Sequence, residues 1–187
     1  MRKHGLKANI RRKQHNRIQR QEEYVNGNLL HEQFNRESKN EVWVTDTTEV
    51  VYDEHTLHKA RVHVILDLYG RYALSYNISD TETSEAVVET FNRAFKVEPD
   101  AHPMVHTDRG SAYCSGMFND YLTGKNCRHS MSHPGHPWEN SPMERWWNDF
   151  KLIWLQNHDR PKNLTELDQL VKEAVDYLVL QYLVLIG

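Results

Sequence analysis

Extended, apolar-rich segments begin at residue 41. The stretch EVWVTDTTEV, which starts at Glu41, is rich in β-branched and aromatic residues, and the stretches RVHVILDLYG and RYALSYNI follow it. Residues of these types favour strands, and Gly70 separates the second stretch from the third. The pattern therefore predicts three successive strands in an antiparallel meander.

Helical and strand patterns alternate in the next part of the chain. Residues 84–96 place their apolar side chains on one face at helical spacing, which predicts an amphipathic helix. The stretch MVHTD from Met104 predicts a short buried strand. Residues 115–123 then predict a second helix, and CRHSMS predicts a short fifth strand.

The last third of the chain opens with a predicted loop. The stretch SHPGHPWENSP contains three prolines and a glycine, which exclude regular helix or strand. We expect Ser141 to cap the next helix, with Pro142 at its first position. Another helix is predicted after Asn163. The buried stripe predicted for the Pro142 helix is Met143, Trp146, Trp147, Phe150, Ile153 and Trp154.

This order of elements predicts an α/β fold, a mixed five-stranded sheet flanked by helices. The chain has 187 residues, of which 39% are hydrophobic, enough for one core. Residues 1–40 are expected to form a basic arm and linker, because their few apolar residues are too scattered to make a core. Residues 41–160 are expected to form the core, and residues 161–187 a C-terminal helix with an apolar tail.

Charge is distributed unevenly along the chain. The net charge is -3, but residues 1–20 carry eight basic side chains and no acidic ones. A basic arm on an acidic body is typical of nucleic-acid binding, and Arg11, Arg12 and Lys13 are candidate DNA contacts. The alternative is a solvated tail without a ligand.

Cysteine content and hydropathy restrict the compartment. Cys114 and Cys127 are the two cysteines, and neither lies in a CxxC pattern. No apolar run approaches the roughly 18 residues that a membrane span requires. We therefore expect a reducing, cytoplasmic setting, without a disulfide framework, a cysteine zinc site or a membrane partner.

Three acidic residues are candidate ligands, and the position of Asp46 is not explained by packing. Asp46 interrupts an apolar strand, Asp108 follows another strand directly, and Glu144 lies in the first turn of a helix. A buried carboxylate is costly unless it is compensated, and strand carboxyl ends are where α/β sheets place ligands. Carboxylates brought together from different elements are suitable ligands for divalent cations. Taken singly, acids at strand ends or helix N-termini are usually solvated or capping.

Several motifs, taken together, resemble a known family. Thirty-five residues separate Asp108 from Glu144, and the matching stretches, in family order, are VWVTDTTEV, VILDLYGR, HTDRGSAY, SMS and ENSPMERWWNDFK. They span about residues 41–156. The sequence resembles the DDE transposases of bacterial insertion sequences, of the OrfB type. Their integrase catalytic core has a ribonuclease H-like fold shared with retroviral integrases.

This resemblance implies metal-dependent DNA cleavage and strand transfer. Asp46, Asp108 and Glu144 would bind two Mg2+ ions, with Mn2+ as a substitute. The resemblance implies DNA as partner, both element ends and target, and a homo-oligomer assembled on it. It also makes Arg109, Asn148 and Lys151 candidate DNA contacts and gives supporting roles to His106, Gly110 and Tyr113.

The flanks depart from the family pattern. Relatives usually carry a helix-turn-helix region before the core, and MRKHGLKANIRRK resembles its closing helix, so residues 1–40 include a remnant of that region. The chain finishes as DYLVLQYLVLIG where the family continues with a basic segment. We therefore expect truncation at both ends. A catalytically silent DNA-binding remnant and a ribonuclease H-type nuclease are the alternative functions.

Two groups of histidines also have spacings suggestive of metal ligands. One group is His55, His58 and His63; the other is His129, His133 and His136. Both groups lie in or beside predicted loops and lack cysteine partners. We interpret them as ordinary polar positions rather than zinc sites.

Overall fold

A computed structural model describes residues 24–184, with side chains described as far as residue 180. Five strands form one sheet in the order β3-β2-β1-β4-β5. β1 pairs antiparallel with β2 and parallel with β4, β2 pairs antiparallel with β3, and β4 pairs parallel with β5. The strands are β1 (Val42–Tyr52), β2 (His58–Asp67), β3 (Tyr72–Ser79), β4 (Met104–Thr107) and β5 (Arg128–Met131).

Helices cover both faces of this sheet, which confirms the predicted α/β fold class. The α-helices are α1 (Ser84–Val97), α2 (Gly116–Gly124), α3 (Ser141–Asn148) and α4 (Leu164–Val184). A 3-10 helix, Pro137–Asn140, runs directly into α3. A π-helical segment, Asp149–Trp154, and a 3-10 turn, Leu155–Asn157, follow it.

The two-residue repeat of β1 divides the core into two layers. Val42 and Val44 point to the layer that contains α3, the π-helical segment and α4. Trp43 points to the opposite layer, where it packs against Phe91 and Phe95 of α1. Because both faces of the central strands are covered, apolar side chains occur on both faces of β1.

The segment before β1 contributes to the core, contrary to the expectation that its apolar residues make none. Leu30 is fully buried in the α3 and α4 layer. Its backbone N–H donates to Ser130 Oγ, and the Met131 N–H donates to the Gly27 carbonyl. The apolar spacing gave no indication of this docking, because the segment is held largely by its backbone groups.

The buried stripe predicted for the Pro142 helix is correct as far as Phe150 and wrong at Ile153. Ile153 is 40% exposed, and Trp154 is partly buried. The α-helix becomes a π-helix at Asp149, whose i→i+5 turns rotate each residue less per step than an α-helix does. The side chain of Ile153 is therefore turned away from the core.

The start of α3 also differs from the prediction. Ser141 is the first residue of the helix, and Asn140 occupies the N-cap position without a capping side-chain hydrogen bond. The Ser141 N–H donates to the Trp138 carbonyl, because the preceding 3-10 helix continues into α3. Pro142 lies in the first turn as expected, and the second half of the predicted loop is this 3-10 helix.

Within residues 24–184, no helix combines the length and apolar character that crossing a membrane requires.

We expect Phe150→Ala and Ile153→Ala to differ sharply in stability. Phe150 is fully buried and stacks on Trp146 at 5.5 Å between ring centroids. Its truncation should cost about 3–5 kcal/mol of unfolding free energy, whereas the exposed Ile153 should cost less than about 1 kcal/mol. Urea unfolding followed by fluorescence measures both; equal losses would contradict the π-helical register.

Candidate active site

Asp46 lies in the interior of β1, opposite Val64 of β2. Its carboxylate accepts a hydrogen bond of 3.0 Å from Trp147 Nε1, which ties the strand to α3. Burial raises the pKa of Asp46 to about 6, and the negative charges of Asp108 and Glu82 add to the increase. The site therefore favours a neutral carboxyl group or a carboxylate neutralised by a cation.

The parallel pairing of β1 and β4 brings Asp108 level with Asp46. The observed register pairs Val44 with His106, and two further residues along each strand lead to the two aspartates. Since side chains alternate, both carboxylates leave the sheet on the same side. Asp108 lies just beyond β4, is exposed, and accepts a 2.8 Å hydrogen bond from the Gly110 N–H.

Glu144 approaches the aspartates from α3. It is exposed and lies in the first turn of that helix. Asp46, Asp108 and Glu144 line one cavity of about 350 Å³, together with Arg109 and the loop that follows β5. The structure thus brings the three acids identified in the sequence to a single cavity from three separate elements.

Two of the predicted supporting residues, His106 and Tyr113, are buried in the sheet region near the acids. His106 is buried, its two ring nitrogens lie 2.9 and 3.0 Å from Ser130 Oγ and Ser132 Oγ, and burial lowers its pKa to about 4. Tyr113 is buried, with its hydroxyl 3.3 Å from Thr45 Oγ1. Tyr113 belongs to the Trp43 layer, on the opposite face of β1 from Asp46.

A side chain at position 110 would lie close to two carboxylates. A Cβ at this position would lie 3.0 Å from Asp108 Oδ1 and 3.2 Å from Glu82 Oε1. A larger residue would therefore make tight contacts and require these side chains to shift by a few tenths of an ångström. The glycine allows the backbone N–H to approach Asp108 closely.

The predicted DNA contacts are at different places. Arg109 lines the acidic cavity, and its Nε donates to the Ser132 carbonyl at 2.9 Å. Asn148 is exposed at the end of α3. Lys151 is also exposed, but it lines a second cavity of about 360 Å³ with His158 and Arg160. Arg11, Arg12 and Lys13 lie outside the described residues.

Two acids near the site, Glu82 and Glu139, were not predicted from the sequence. Glu82 lies between β3 and α1, and burial together with the charge of Asp108 raises its pKa. Its only sequence signal is an acid shortly after a strand end. Glu139 is 6% exposed in the 3-10 helix before α3, although the proline-rich context predicted a loop.

Asp67 has a structural role, because its carboxylate accepts hydrogen bonds from the backbone N–H groups of Asn40 and Tyr69.

The histidine groups separate in the structure. His63 bonds to Thr47 and Ser79, and His129 bonds to Thr107 and Asn119. Burial lowers the pKa of both histidines to about 4, so they are neutral structural residues. His133 and His136 instead lie together beside the acidic cavity.

Solved structures share this fold. The catalytic core domain of HTLV-2 integrase, in complex with magnesium, covers 73% of this chain and 84% of its own, with a TM-score of 0.53 and 23% identity. A simian T-cell lymphotropic virus intasome structure covers 73% of this chain, with a TM-score of 0.59 and 23% identity. At this identity the likeness shows the fold alone, which is the predicted ribonuclease H-like fold.

Insertion-sequence proteins resemble the chain in sequence. The putative transposase of element IS150 from Escherichia coli is 29% identical over 176 residues, which are 92% of this chain and 60% of that protein. The transposase of element IS904 from Lactococcus lactis is 31% identical over 125 residues, 66% of this chain and 48% of that protein. The chain therefore spans about half the length of the relatives it matches.

Family profiles cover most of the described structure. The profile of one integrase core domain family matches residues 36–137, and that of a second matches residues 125–177. The first match alone includes more than half of the chain, and it contains Asp46 and Asp108. The chain belongs to the integrase core domain family.

Proposed function

We propose that this chain is a catalytic domain that cleaves DNA and transfers its strands, with Asp46, Asp108 and Glu144 as the metal-binding acids. The observation that carries the proposal is the convergence of these three carboxylates on one cavity. The integrase core family and the transposase relatives support the same chemistry. The acids meet because of the order of the strands in the sheet, which their spacing in the sequence does not specify.

The donor set fits a hard divalent cation. All three groups are carboxylates, and the pKa of Asp46 is raised because burial and the charges of nearby acids disfavour its ionised form. Asn140 also lines the cavity, and its Oδ1 is buried without a hydrogen-bond partner among the described residues. Such an oxygen is suited to a cation or to a water bound to one.

We propose two Mg2+ ions here, with Mn2+ as a substitute, and the magnesium complex of HTLV-2 integrase supports this choice of cation. Bound divalent ions activate an attacking oxygen and neutralise charge at phosphorus.

The chain's own residues orient the acids. Trp147 holds one oxygen of Asp46, and the Gly110 N–H holds one oxygen of Asp108. Glu144 is exposed and attached to α3, which Asn140 fastens to β1 through the Thr45 carbonyl at 3.4 Å. Preorganised carboxylates need little rearrangement when a ligand binds.

DNA is the proposed substrate and partner. Arg109 lies in the acidic cavity, and Asn148 is exposed on the same helix as Glu144. Lys151 and Arg160 line the second cavity, where they are candidate phosphate contacts. Arg11, Arg12 and Lys13 remain predicted contacts of the basic arm, and assembly of several copies on DNA remains a prediction.

Strand transfer tests the proposal. The parent chain should join a pre-cleaved 3'-hydroxyl DNA end into plasmid in Mg2+ or Mn2+, and Glu144→Gln should reduce joining to the background without protein. Glu85→Gln is the matched control, since Glu85 is likewise an exposed acid in the first turn of a helix.

DNA binding without joining in the parent would favour the catalytically silent remnant. Cleavage of RNA:DNA hybrids in place of DNA joining would favour the ribonuclease H-type nuclease.

Asp46→Asn should stabilise the metal-free protein at neutral pH. The pKa of Asp46 is raised from 3.8 to about 6 in the folded protein. Ionisation of Asp46 therefore lowers the unfolding free energy progressively as pH rises from 3.8 to about 6, and the cost is complete above that pH. In EDTA, Asp46→Asn should raise the unfolding free energy by about 1–3 kcal/mol at pH 7 and by nearly nothing at pH 4. Thermal melts measure it, with the exposed Asp120→Asn as control.

Adding Mg2+ should reverse the order, because the parent gains binding energy that the Asp46→Asn variant lacks. A stability gain that is equal at both pH values, or an equal Mg2+ response in the two proteins, would contradict the charge argument.

Lys151→Ala should weaken DNA binding and reduce its salt dependence. Removing one phosphate contact should lower the slope of log K against log salt by about 1. Lys172→Ala is the control, because Lys172 is exposed on α4, away from the two cavities. Fluorescence anisotropy over a salt series measures both, and identical slopes for the two variants would exclude Lys151 as a phosphate contact.

A further inference from the structure

A tight turn brings two histidines together on the rim of the acidic cavity. The His136 N–H donates to the His133 carbonyl at 3.1 Å, with Pro134 and Gly135 between them. Gly135 has φ +76, so this is the turn that proline followed by glycine favours. The sequence H-P-G-H therefore encodes a fixed separation between two imidazoles, whose ring centroids are 5.6 Å apart.

A second turn adds a carboxylate. The Glu139 N–H donates to the His136 carbonyl at 3.1 Å and begins the 3-10 helix before α3. Glu139 Oε1 lies 2.9 Å from His133 Nδ1 and 3.4 Å from His136 Nδ1. The His133 N–H donates to Glu139 Oε2 at 2.6 Å, which fixes the carboxylate in place.

These atoms have the spacing of a metal-coordination sphere. The three ligand atoms lie within 4.8 Å of one another. In a tetrahedral zinc site, bonds of about 2.0–2.2 Å place neighbouring ligand atoms about 3.3–3.5 Å apart. Two imidazoles and one carboxylate are a ligand set that zinc accepts with an open fourth position. Without a metal, the same groups are held by hydrogen bonds, so little movement is needed for binding.

We propose that His133, His136 and Glu139 form a site for a divalent transition metal of the Zn2+ class, separate from the carboxylate site. Imidazole nitrogens favour Zn2+, Co2+ and Ni2+ over Mg2+, whose ligands are oxygens. Both histidines are about half exposed, with side-chain exposures of 51% and 45%, and both line the cavity. A metal can therefore enter from solvent.

A metal at this site would brace the connection between β5 and α3. His133 lies two residues after the end of β5, and Glu139 lies five residues before Glu144. Coordination would fix the turn relative to the helix that carries Glu144. His136 is also stacked on Trp138, at 4.6 Å between ring centroids, which limits the freedom of its imidazole.

Cobalt binding tests the proposal directly. The full chain, free of any polyhistidine tag and stripped with EDTA, is titrated with Co2+, and the visible d–d absorption of tetrahedral Co2+ is recorded. We expect saturation at one equivalent, displacement by Zn2+, and no displacement by excess Mg2+. His133→Gln combined with His136→Gln should weaken binding by more than about tenfold, and Glu139→Gln should also weaken it.

Two controls separate this site from others. Asp46→Asn combined with Glu144→Gln should retain the cobalt spectrum, and so should His158→Gln, which removes an exposed histidine elsewhere. Thermal melts establish that each variant is folded.

Absence of the spectrum in the parent, its retention in the double histidine variant, or its loss in the carboxylate variant would overturn the proposal. The assay measures metal binding alone, so its outcome is independent of strand transfer.

Discussion

The parallel pairing of β1 with β4 at the centre of the sheet is the constraint on which the site depends. It places Asp46 and Asp108 at the same level and on the same side, although 61 residues lie between them in the sequence. Because β1 is also paired with β2 along nearly its whole length, Asp46 cannot move away from the charge of Asp108. Burial and this proximity together raise the pKa of Asp46, and a bound cation would relieve the penalty.

The other half of the site depends on how α3 is fastened to that strand. The Trp147 indole reaches Asp46, and Trp147 itself packs against Trp146 and Phe150 in the core. The same side chain thus anchors the helix and orients the carboxylate, so the position of Glu144 is coupled to core packing. The change to a π-helix immediately afterwards turns Ile153 outwards and redirects the chain towards α4.

Much of this arrangement could be predicted from the sequence. The β-branched and aromatic residues of β1 to β3 and the apolar stretch of β4 predicted the strands, and an acid inside a strand was the signal for Asp46. Asp108 and Glu144 stood out by their positions at element ends. The π-helical shift at Asp149 could not be predicted, since it changes the helical period without a proline or glycine to mark it.

The burial of Leu30 was not predicted, because its segment is attached to β5 by backbone hydrogen bonds that leave no pattern in the side chains. Glu139 was not predicted because its burial depends on two successive turns. The family resemblance gave no indication that Lys151 lines a different cavity from Glu144.

Diffraction from crystals soaked in Mn2+ would locate a bound metal by its anomalous scattering, without an activity assay. We expect anomalous peaks in contact with the carboxylates of Asp46, Asp108 and Glu144. Well-ordered carboxylates without an anomalous peak between them, at Mn2+ concentrations that occupy other sites on the protein, would contradict it.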